Sequence, residues 1–207
     1  MSRITGLEKT KQRHSRINVY LDDCFAFSLE KSIVQEAGLY TGQELNEAEA
    51  TMLIKADANR RCLDTALRYL SYRDRSEKEI KEHLVKHGFN IPVIEQTMLR
   101  LHETGLIDDN EFARRWTENR EQCSPRGRRA LIFEMQQKGL SQEIIEQALA
   151  GVDESASAYR AAVKKARNLS CEDQNTFYRR MSGFLVRRGF NYDTIKKTIE
   201  TLWKERN

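Results

Sequence analysis

The sequence predicts a mainly α-helical protein: an elongated tandem array of three-helix, helix-turn-helix-like units behind a small N-terminal β-hairpin/α extension. The main observation is that residues 76–101 align without a gap to residues 127–152 and again to residues 177–202. Self-similarity at a spacing of about 50 residues is typical of repeat architectures. The composition agrees, since 32% charged residues, 39% hydrophobic residues and two prolines suit several small helical cores better than one large core.

Apolar residues in each copy recur at helical spacing on both sides of a central glycine. The three glycines are Gly88, Gly139 and Gly189. The stripe before the glycine consists of Ile80 and Leu84, Leu131 and Met135, and Met181 and Leu185. The stripe after it consists of Ile94, Met98 and Leu101, then Ile145, Leu149 and Val152, then Ile195, Ile199 and Leu202. Each copy is therefore predicted to be a helix, a tight turn and a second helix.

The residues of the turn support this interpretation. A glycine fits the left-handed conformation that ends many helices. Two residues later, Asn90, Ser141 and Asn191 are suitable N-caps for the next helix. An apolar residue lies between glycine and cap in each copy: Phe89, Leu140 and Phe190. The residue before the glycine is His87, Lys138 or Arg188, a polar or basic side chain near the negative end of the helix dipole.

The N-terminal residues are the part of the chain with strand character. Apolar and polar residues alternate over residues 17–21 and 25–29 around Asp22-Asp23, which predicts a hairpin, and residues 3–10 are a candidate third strand. A helix is expected over residues 29–37, ending at Gly38. A longer helical stretch begins at Asn46, with a break expected near Ala58-Asn59.

These elements give four predicted domains: an N-terminal piece, 1–58, and three-helix repeats at 59–107, 108–152 and 153–207. The first helix of each repeat is assigned to residues 61–72, to a stretch starting at Asp108 and containing Phe112 and Trp116, and to residues 156–169. Glu111 occupies the capping-box position of the second of these helices.

The sequence contains no convergent set of catalytic or metal-binding residues, so we expect a non-enzymatic protein without a cofactor or metal. His83 and His87 are one helical turn apart, but the glutamate of a His-Glu-x-x-His site and a third ligand are absent. Cys24, Cys62, Cys123 and Cys171 form no Cys-x-x-Cys pair and are expected to be reduced thiols. Without a signal peptide or transmembrane run, the chain is expected to be cytoplasmic, and we expect a monomer.

Positive charge is concentrated in two blocks, although the net charge is only +4. Six arginines face two glutamates over residues 112–133, and eight basic residues face two acidic ones over residues 159–188. Such blocks suit polyanionic or charged-protein partners, while internal salt bridges are the simpler explanation of any one arginine. The candidate contact residues are Arg114, Arg115, Arg126, Arg128, Arg129, Arg160, Lys164, Lys165, Arg167, Arg179, Arg180, Arg187 and Arg188.

One hypothesis is a DNA-binding protein built from tandem helix-turn-helix units. The last helix of the second repeat argues against it, because Glu143 and Glu146 would repel phosphates in a groove. We therefore expect at most weak, sequence-indifferent binding to nucleic acid. A hydrolase or metalloenzyme is a third hypothesis, which would require a bound metal or a titrating site.

A run of residues in the first and second repeats resembles the bacterial RecX family, the regulators of the RecA recombinase. The residues that carry the resemblance are Arg75-Ser76, Glu79, Leu84, Gly88, Gly105-Leu106-Ile107-Asp108-Asp109, Phe112-Ala113, Trp116, Arg120, Pro125-Arg126-Gly127 and Lys138-Gly139. Met135 departs from the leucine usual there. Together with the repeats, the resemblance covers two thirds to three quarters of the chain and leaves the N-terminal hairpin as an extension.

The resemblance implies a curved array that lodges in the helical groove of the RecA filament on DNA. It implies inhibition of the ATPase and strand-exchange activities of RecA. Several weak contacts along one body reinforce each other through effective concentration, which agrees with a repeat protein carrying charge blocks.

Overall fold

The computed structural model describes residues 1–10, 15–169 and 173–206. It begins with a four-stranded antiparallel sheet in the spatial order β3-β2-β1-β4. The strands are β1 (Ser2–Lys9), β2 (Arg16–Leu21), β3 (Cys24–Glu30) and β4 (Glu44–Leu45). The predicted hairpin and third strand are confirmed. The short β4 was not predicted, because two residues are too few to show an alternating pattern.

The hairpin turns at Asp22 and Asp23, as predicted, and both residues have positive φ, 49° and 64°. Aspartate tolerates this conformation better than most residues, because its short polar side chain forms local hydrogen bonds. The Asp22 carboxylate accepts a hydrogen bond from the amide of Arg3 at 3.0 Å. The turn is thereby tied to β1.

Two helices follow the sheet. The first, α1 (Lys31–Glu36), is shorter than the predicted 29–37, because Leu29 still pairs with Ile17 in the sheet. The second, α2 (Glu47–Leu70), begins with a capping box formed by Asn46 and Glu49. The expected break near Ala58-Asn59 is wrong, since α2 is continuous there, and neither residue removes a helical hydrogen bond as proline would.

The sheet packs against α1 and α2 around a small core of Ile4, Val19, Leu29, Ile33, Val34 and Leu45. A buried ion pair fastens β2 to α2: Arg16 Nη2 lies 3.0 Å from Asp57 Oδ2, and the two side chains are 15% and 6% exposed. Asp57 also accepts a hydrogen bond from the amide of Glu30, the last residue of β3. One carboxylate therefore holds two strands and a helix together.

The rest of the chain consists of helices in the predicted repeats. They are α3 (Glu77–Lys86), α4 (Ile91–Glu103), α5 (Asp109–Cys123), α6 (Arg128–Gln137), α7 (Gln142–Leu149), α8 (Glu154–Ala166), α9 (Gln174–Arg187) and α10 (Tyr192–Arg206). The glycines that separate α3 from α4, α6 from α7 and α9 from α10 have φ values of 80°, 82° and 82°. The left-handed turn is confirmed in all three copies.

The predicted caps and cores are also confirmed. The side chains of Asn90, Ser141 and Asn191 accept hydrogen bonds from amides three residues on. The apolar stripes are buried in all three repeats, apart from Val152, which is half-buried. The cores of the second and third repeats are centred on Met135 and on Phe177 and Met181.

The chain divides into two compact units. The N-terminal unit comprises residues 1–73 and 80–104, and the C-terminal unit comprises residues 74–79 and 105–207. Cys24, Cys62 and Cys123 are free thiols, and burial raises the pKa of the Cys62 thiol. Cys171 lies outside the described residues.

Candidate functional site: basic side chains of the C-terminal unit

All thirteen candidate residues lie in the C-terminal unit, and the arginines of α5 are held by carboxylates there. Arg114 Nη2 lies 2.6 Å from Glu111, and Arg115 Nε lies 2.7 Å from the same carboxylate. Arg115 also contacts Asp74 at 3.1 Å, and Arg114 contacts Glu118. The hydrogen bonds from the arginines lower the pKa of Glu111 to about 2. Their charge is therefore largely compensated within the chain.

Glu134 on α6 is the centre of a second cluster of charged side chains. Its carboxylate accepts hydrogen bonds from Arg120 Nε at 2.8 Å and from the indole of Trp116 at 3.0 Å. Arg126 lies 3.5 Å from the other oxygen of Glu134. The indole ring lies under two cations, with Arg120 4.6 Å and Lys138 5.3 Å from its centroid. Arg126 thus belongs to an internal network.

The first turn of α6 carries two further candidates with different environments. Arg128 donates a hydrogen bond to the carbonyl oxygen of Leu149 at 3.0 Å, so it helps to close the second repeat. Arg129 is exposed and forms no ion pair with any residue that the structure describes. Phe133, one helical turn further on the same helix, is 62% exposed. Arg129 therefore presents its charge to solvent beside an apolar side chain.

The candidates on α8 differ in exposure. Arg160 lies 3.5 Å from Glu121 and donates a hydrogen bond to Ser157. Lys164 and Arg167 are exposed, and within the described residues they form no ion pair. Lys165 is half-buried, with its ammonium 5.8 Å from the centroid of the Phe184 ring. The C-terminal half of α8 thus presents uncompensated charge.

Three basic residues of α9 are exposed. Arg179, Arg180 and Arg187 lie on its exposed side, opposite the buried Phe177 and Met181. Asp173 caps the helix, and its pKa is lowered mainly by hydrogen bonds with Thr176 and in smaller part by the charge of Arg179.

Arg188, the residue after α9, is half-buried. Its guanidinium donates a hydrogen bond to the carbonyl oxygen of Pro125 at 2.9 Å and lies 4.7 Å from the centroid of the Phe184 ring. Burial and the nearby Arg126 charge lower the pKa of Arg188.

Sequence reasoning missed the part played by the residue before each glycine. Lys138 and Arg188 were assigned to the helix dipole or to a binding surface, yet both reach residues of the preceding repeat. Lys138 Nζ pairs with Glu79, just as Arg188 reaches Pro125. The alignment carried a signal for this role, since the position is occupied by a long basic side chain in both copies.

His83 and His87 are adjacent, as the spacing predicted, and their rings contact aromatic and backbone groups. The His83 ring stacks on Tyr69 with centroids 3.8 Å apart, and His87 Nδ1 lies 2.8 Å from the carbonyl oxygen of His83. Within residues 1–10, 15–169 and 173–206, no three His, Cys, Asp or Glu side chains are grouped closely enough to hold a metal ion. No helix of that part of the chain is long and apolar enough to cross a membrane.

Nearly all of the chain is similar to known regulatory proteins. Residues 2–46 match the "Regulatory protein RecX N-terminal domain", and residues 62–101, 108–149 and 153–199 match the first, second and third three-helix domains of RecX. The regulatory protein RecX of Bacillus licheniformis is 31% identical over 206 residues, which cover 97% of this chain and 77% of that protein. The regulatory protein RecX of Clostridium botulinum is 27% identical, over 97% of this chain and 96% of that protein.

Two crystal structures of RecX proteins have a fold similar to that of this chain. A crystal structure of regulatory protein RecX superposes with a TM-score of 0.68 at 25% identity, covering 97% of this chain and all of the other. The crystal structure of RecX from Lactobacillus salivarius gives a TM-score of 0.62 at 25% identity, over 71% of this chain and 97% of that one.

The fold and the exposed basic residues define a tandem-repeat protein of three-helix domains behind an N-terminal sheet. The chain belongs to the RecX family of regulatory proteins. The matched N-terminal domain shows that residues 2–46 are part of the family relationship as well.

Proposed function

We propose that this protein binds the RecA recombinase, as a filament on DNA, and inhibits its ATPase and DNA strand-exchange activities. It acts without catalysis and without a cofactor, as a cytoplasmic monomer. The observation that carries the proposal is the match to all four RecX domains along the chain.

The candidate contact residues divide into two groups on the basis of their environments. Arg114, Arg115, Arg126, Arg128, Arg160 and Arg188 already contact carboxylates or carbonyl oxygens of the chain. A partner would have to compete with those contacts, so these residues are the weaker candidates. Arg129, Lys164, Lys165, Arg167, Arg179 and Arg187 are the stronger ones, because they lie on exposed or half-exposed helix faces and form no ion pair with the residues that the structure describes. Arg180 is exposed as well, but it has an interaction partner within the chain.

The test is the hydrolysis of ATP by RecA on single-stranded DNA, measured with increasing amounts of this protein. We expect inhibition at amounts stoichiometric with the filament-bound RecA. Unchanged hydrolysis at a several-fold excess would contradict the proposal.

Two double variants test the assignment of the surface. Arg179→Ala/Arg187→Ala removes two exposed charges, and Arg114→Ala/Arg115→Ala removes two charges that are paired on α5. Rim charges mainly affect association, so we expect the first variant to need roughly tenfold more protein for half-inhibition. The second is expected to stay within about twofold of the parent protein, because paired surface charges contribute little. Equal effects of the two variants would reject this assignment.

Recognition of a duplex sequence is disfavoured by α7. Glu143 and Glu146 are exposed on this helix, and Gln142 donates a hydrogen bond to Glu146 instead of facing solvent freely. A helix that reads a major groove needs donors for base edges and cannot place carboxylates against phosphates. Tight, sequence-specific duplex binding in the absence of RecA would favour the alternative of a DNA-binding regulator.

A further inference from the structure

The N-terminal unit has a groove with both apolar and charged lining residues, which we call the α2–α4 groove. It lies between α1, α2 and α4, has a volume of about 660 Å³, and contains none of the thirteen basic candidates. Its apolar wall includes Leu63, which is half-buried, and Leu99, which is 59% exposed. Covering leucine side chains with another apolar group is favourable, so this wall favours an occupant with an apolar surface.

The lining of the α2–α4 groove also contains a buried polar atom without a hydrogen-bond partner. Asn59 on α2 donates a hydrogen bond through Nδ2 to Gln96 Oε1 on α4 at 2.8 Å. The Oδ1 atom of the same amide is buried and accepts no hydrogen bond from the residues that the structure describes. A buried acceptor that stays unpaired is destabilising, so the groove favours an occupant that brings a hydrogen-bond donor.

The charges that line the α2–α4 groove are only partly compensated. Arg60 Nη1 lies 2.7 Å from Glu36, so these two side chains neutralise each other. Asp64 adds only a minor part to the raised pKa of Arg60, which the hydrogen bond to Glu36 mainly causes. Asp64, Glu103 and Arg100 line the groove and form no ion pair in the part of the chain that the structure describes. Two unpaired carboxylates therefore remain beside one unpaired cation, and a further cation is favoured there.

An arginine side chain on a helix of another protein matches all three features. Its guanidinium carries a positive charge and five N–H donors in a planar fork, whereas a lysine ammonium is a point charge. The fork is able to donate to the Asn59 oxygen and to a carboxylate at the same time, and its aliphatic stem packs on a leucine. A groove of about 660 Å³ is larger than one side chain fills, so neighbouring apolar residues of the same helix would cover Leu63 and Leu99.

We propose that the α2–α4 groove binds a helix of a partner protein that carries an arginine one helical turn from a leucine. Asn59, Asp64 and Glu103 are the acceptors for its guanidinium. The proposal concerns the N-terminal unit and goes beyond the inhibition of RecA. It is tested without RecA, so that the two proposals can fail separately.

The first test titrates the full chain, with ¹³C-labelled leucine methyl groups, with a capped amphipathic peptide that carries leucine and arginine one helical turn apart. The NMR signals of Leu63 and Leu99 are expected to shift and to saturate. The same peptide with citrulline in place of arginine keeps the shape without the charge, so its Kd should be about tenfold higher or more. Equal binding of a citrulline or lysine peptide would overturn the choice of arginine, and unshifted leucines would overturn the site. Free arginine that shifts both leucines at the same concentrations would overturn the assignment to a helix.

The second test compares two charge-matched double variants in the same titration. Asp64→Asn/Glu103→Gln removes the unpaired carboxylates of the groove, and Glu47→Gln/Glu95→Gln removes two carboxylates of the same helices outside it. All four side chains are exposed, so neither variant disturbs a core. We expect the groove variant to raise Kd for the arginine peptide about fivefold or more and the control to change it less than about twofold. Equal effects would show a diffuse attraction and would overturn the proposal.

The third test examines the apolar wall with a pair of substitutions on α4. Leu99 lines the groove and is 59% exposed, and Ile91 lies outside it and is 57% exposed. Leu99→Ala is expected to raise Kd for the arginine peptide about threefold or more, because it removes apolar surface that the peptide covers, and Ile91→Ala is expected to leave it unchanged. A Kd that both substitutions change equally would overturn the assignment of the peptide to this groove.

Discussion

The amide of Gly127 donates a hydrogen bond to the carbonyl oxygen of Arg188 at 2.9 Å, and this contact joins the second repeat to the third. A related contact occurs one repeat earlier, where the hydroxyl of Ser76 donates to the carbonyl oxygen of Lys138 at 2.7 Å. In both cases the residue before the second helix of one repeat meets the residue before the turn glycine of the next.

The two joints share a second contact. The amide of Glu77 donates to the carboxylate of Asp109 at 3.0 Å, and the amide of Arg128 donates to the carboxylate of Glu154 at 3.2 Å. Each carboxylate belongs to the first residue of the first helix of the following repeat. Free amides at a helix N-terminus attract anions, so these contacts use the helix dipole to order the repeats.

Gly127 is the residue of this joint that tolerates least change. A β-carbon there would lie 2.2 Å from the carbonyl oxygen of Gly189, which is backbone and cannot rotate away. We expect Gly127→Ala to lower the free energy of unfolding by about 2 kcal/mol or more, in the range of overpacked sites. Urea denaturation followed by circular dichroism measures this change.

Gly151 provides the matched control, because it lies in the same unit and a β-carbon there meets nothing within 4 Å. Gly151→Ala should leave the free energy of unfolding within about 0.5 kcal/mol of the parent protein or raise it slightly, since alanine restricts the unfolded chain. Equal losses at the two positions would show that the close approach at Gly127 has no energetic role.

Replacing each of the three turn glycines by alanine should lower the melting temperature by different amounts, in a defined order. All have φ near +80°, so each substitution carries backbone strain of ~1 to 2 kcal/mol. Gly88→Ala adds no steric clash to this strain, because the space around the new β-carbon is open. The β-carbon of Gly139→Ala would clash with the side chain of Lys78, and that of Gly189→Ala would clash with the backbone of Ala130. The melting temperature should therefore fall least for Gly88→Ala and most for Gly189→Ala, and the reverse order would contradict the described joints.

The repeats could be predicted from the sequence because their determinants are local. A glycine at positive φ, an N-cap two residues later and apolar residues at helical spacing all act within one helical hairpin, and Gly139 with Ser141 shows each of them. The continuity of α2 through Ala58-Asn59 was missed for the opposite reason. Alanine favours a helix, so Asn59 is the residue of this pair with a weak helix preference, and it is held in α2 by a hydrogen bond to Gln96, 37 positions away.

The candidate site was less accessible to sequence reasoning. A cluster of arginines has the same appearance whether it faces solvent or a carboxylate. Arg114 and Arg129 were equivalent candidates, yet the first is paired with Glu111 and Glu118 and the second is not. The partners three or four residues away could have been read from helical spacing. The contact of Arg188 with Pro125, in contrast, depends on tertiary structure alone.

The ion pair between Arg16 and Asp57 should contribute far more to the free energy of unfolding than an exposed carboxylate on the same helix does. Asp57→Ala leaves the Arg16 guanidinium largely buried and removes the acceptor for the Glu30 amide. Breaking one partner of a buried pair costs about 3 kcal/mol or more. Asp64→Ala, also on α2 but exposed, should change the free energy of unfolding by less than about 0.5 kcal/mol. Chemical denaturation of both variants would show the difference, and similar values would exclude a structural role for the pair.

The pairing of Glu111 with Arg114 and Arg115 predicts a specific dependence of stability on pH. The pKa of Glu111 is lowered from an ordinary 4.5 to about 2, so the folded protein binds the proton less tightly than the unfolded chain. The stabilisation is therefore complete above pH 4.5 and is lost as the pH falls through the folded pKa of about 2. The difference in melting temperature between the parent protein and Glu111→Gln should be constant at neutral pH and shrink below pH 4.5. Arg115→Ala should raise the Glu111 pKa measured by NMR, because it removes one hydrogen-bond donor. If Glu111 titrates at its ordinary pKa in the parent protein, the arginines do not bind its carboxylate in solution.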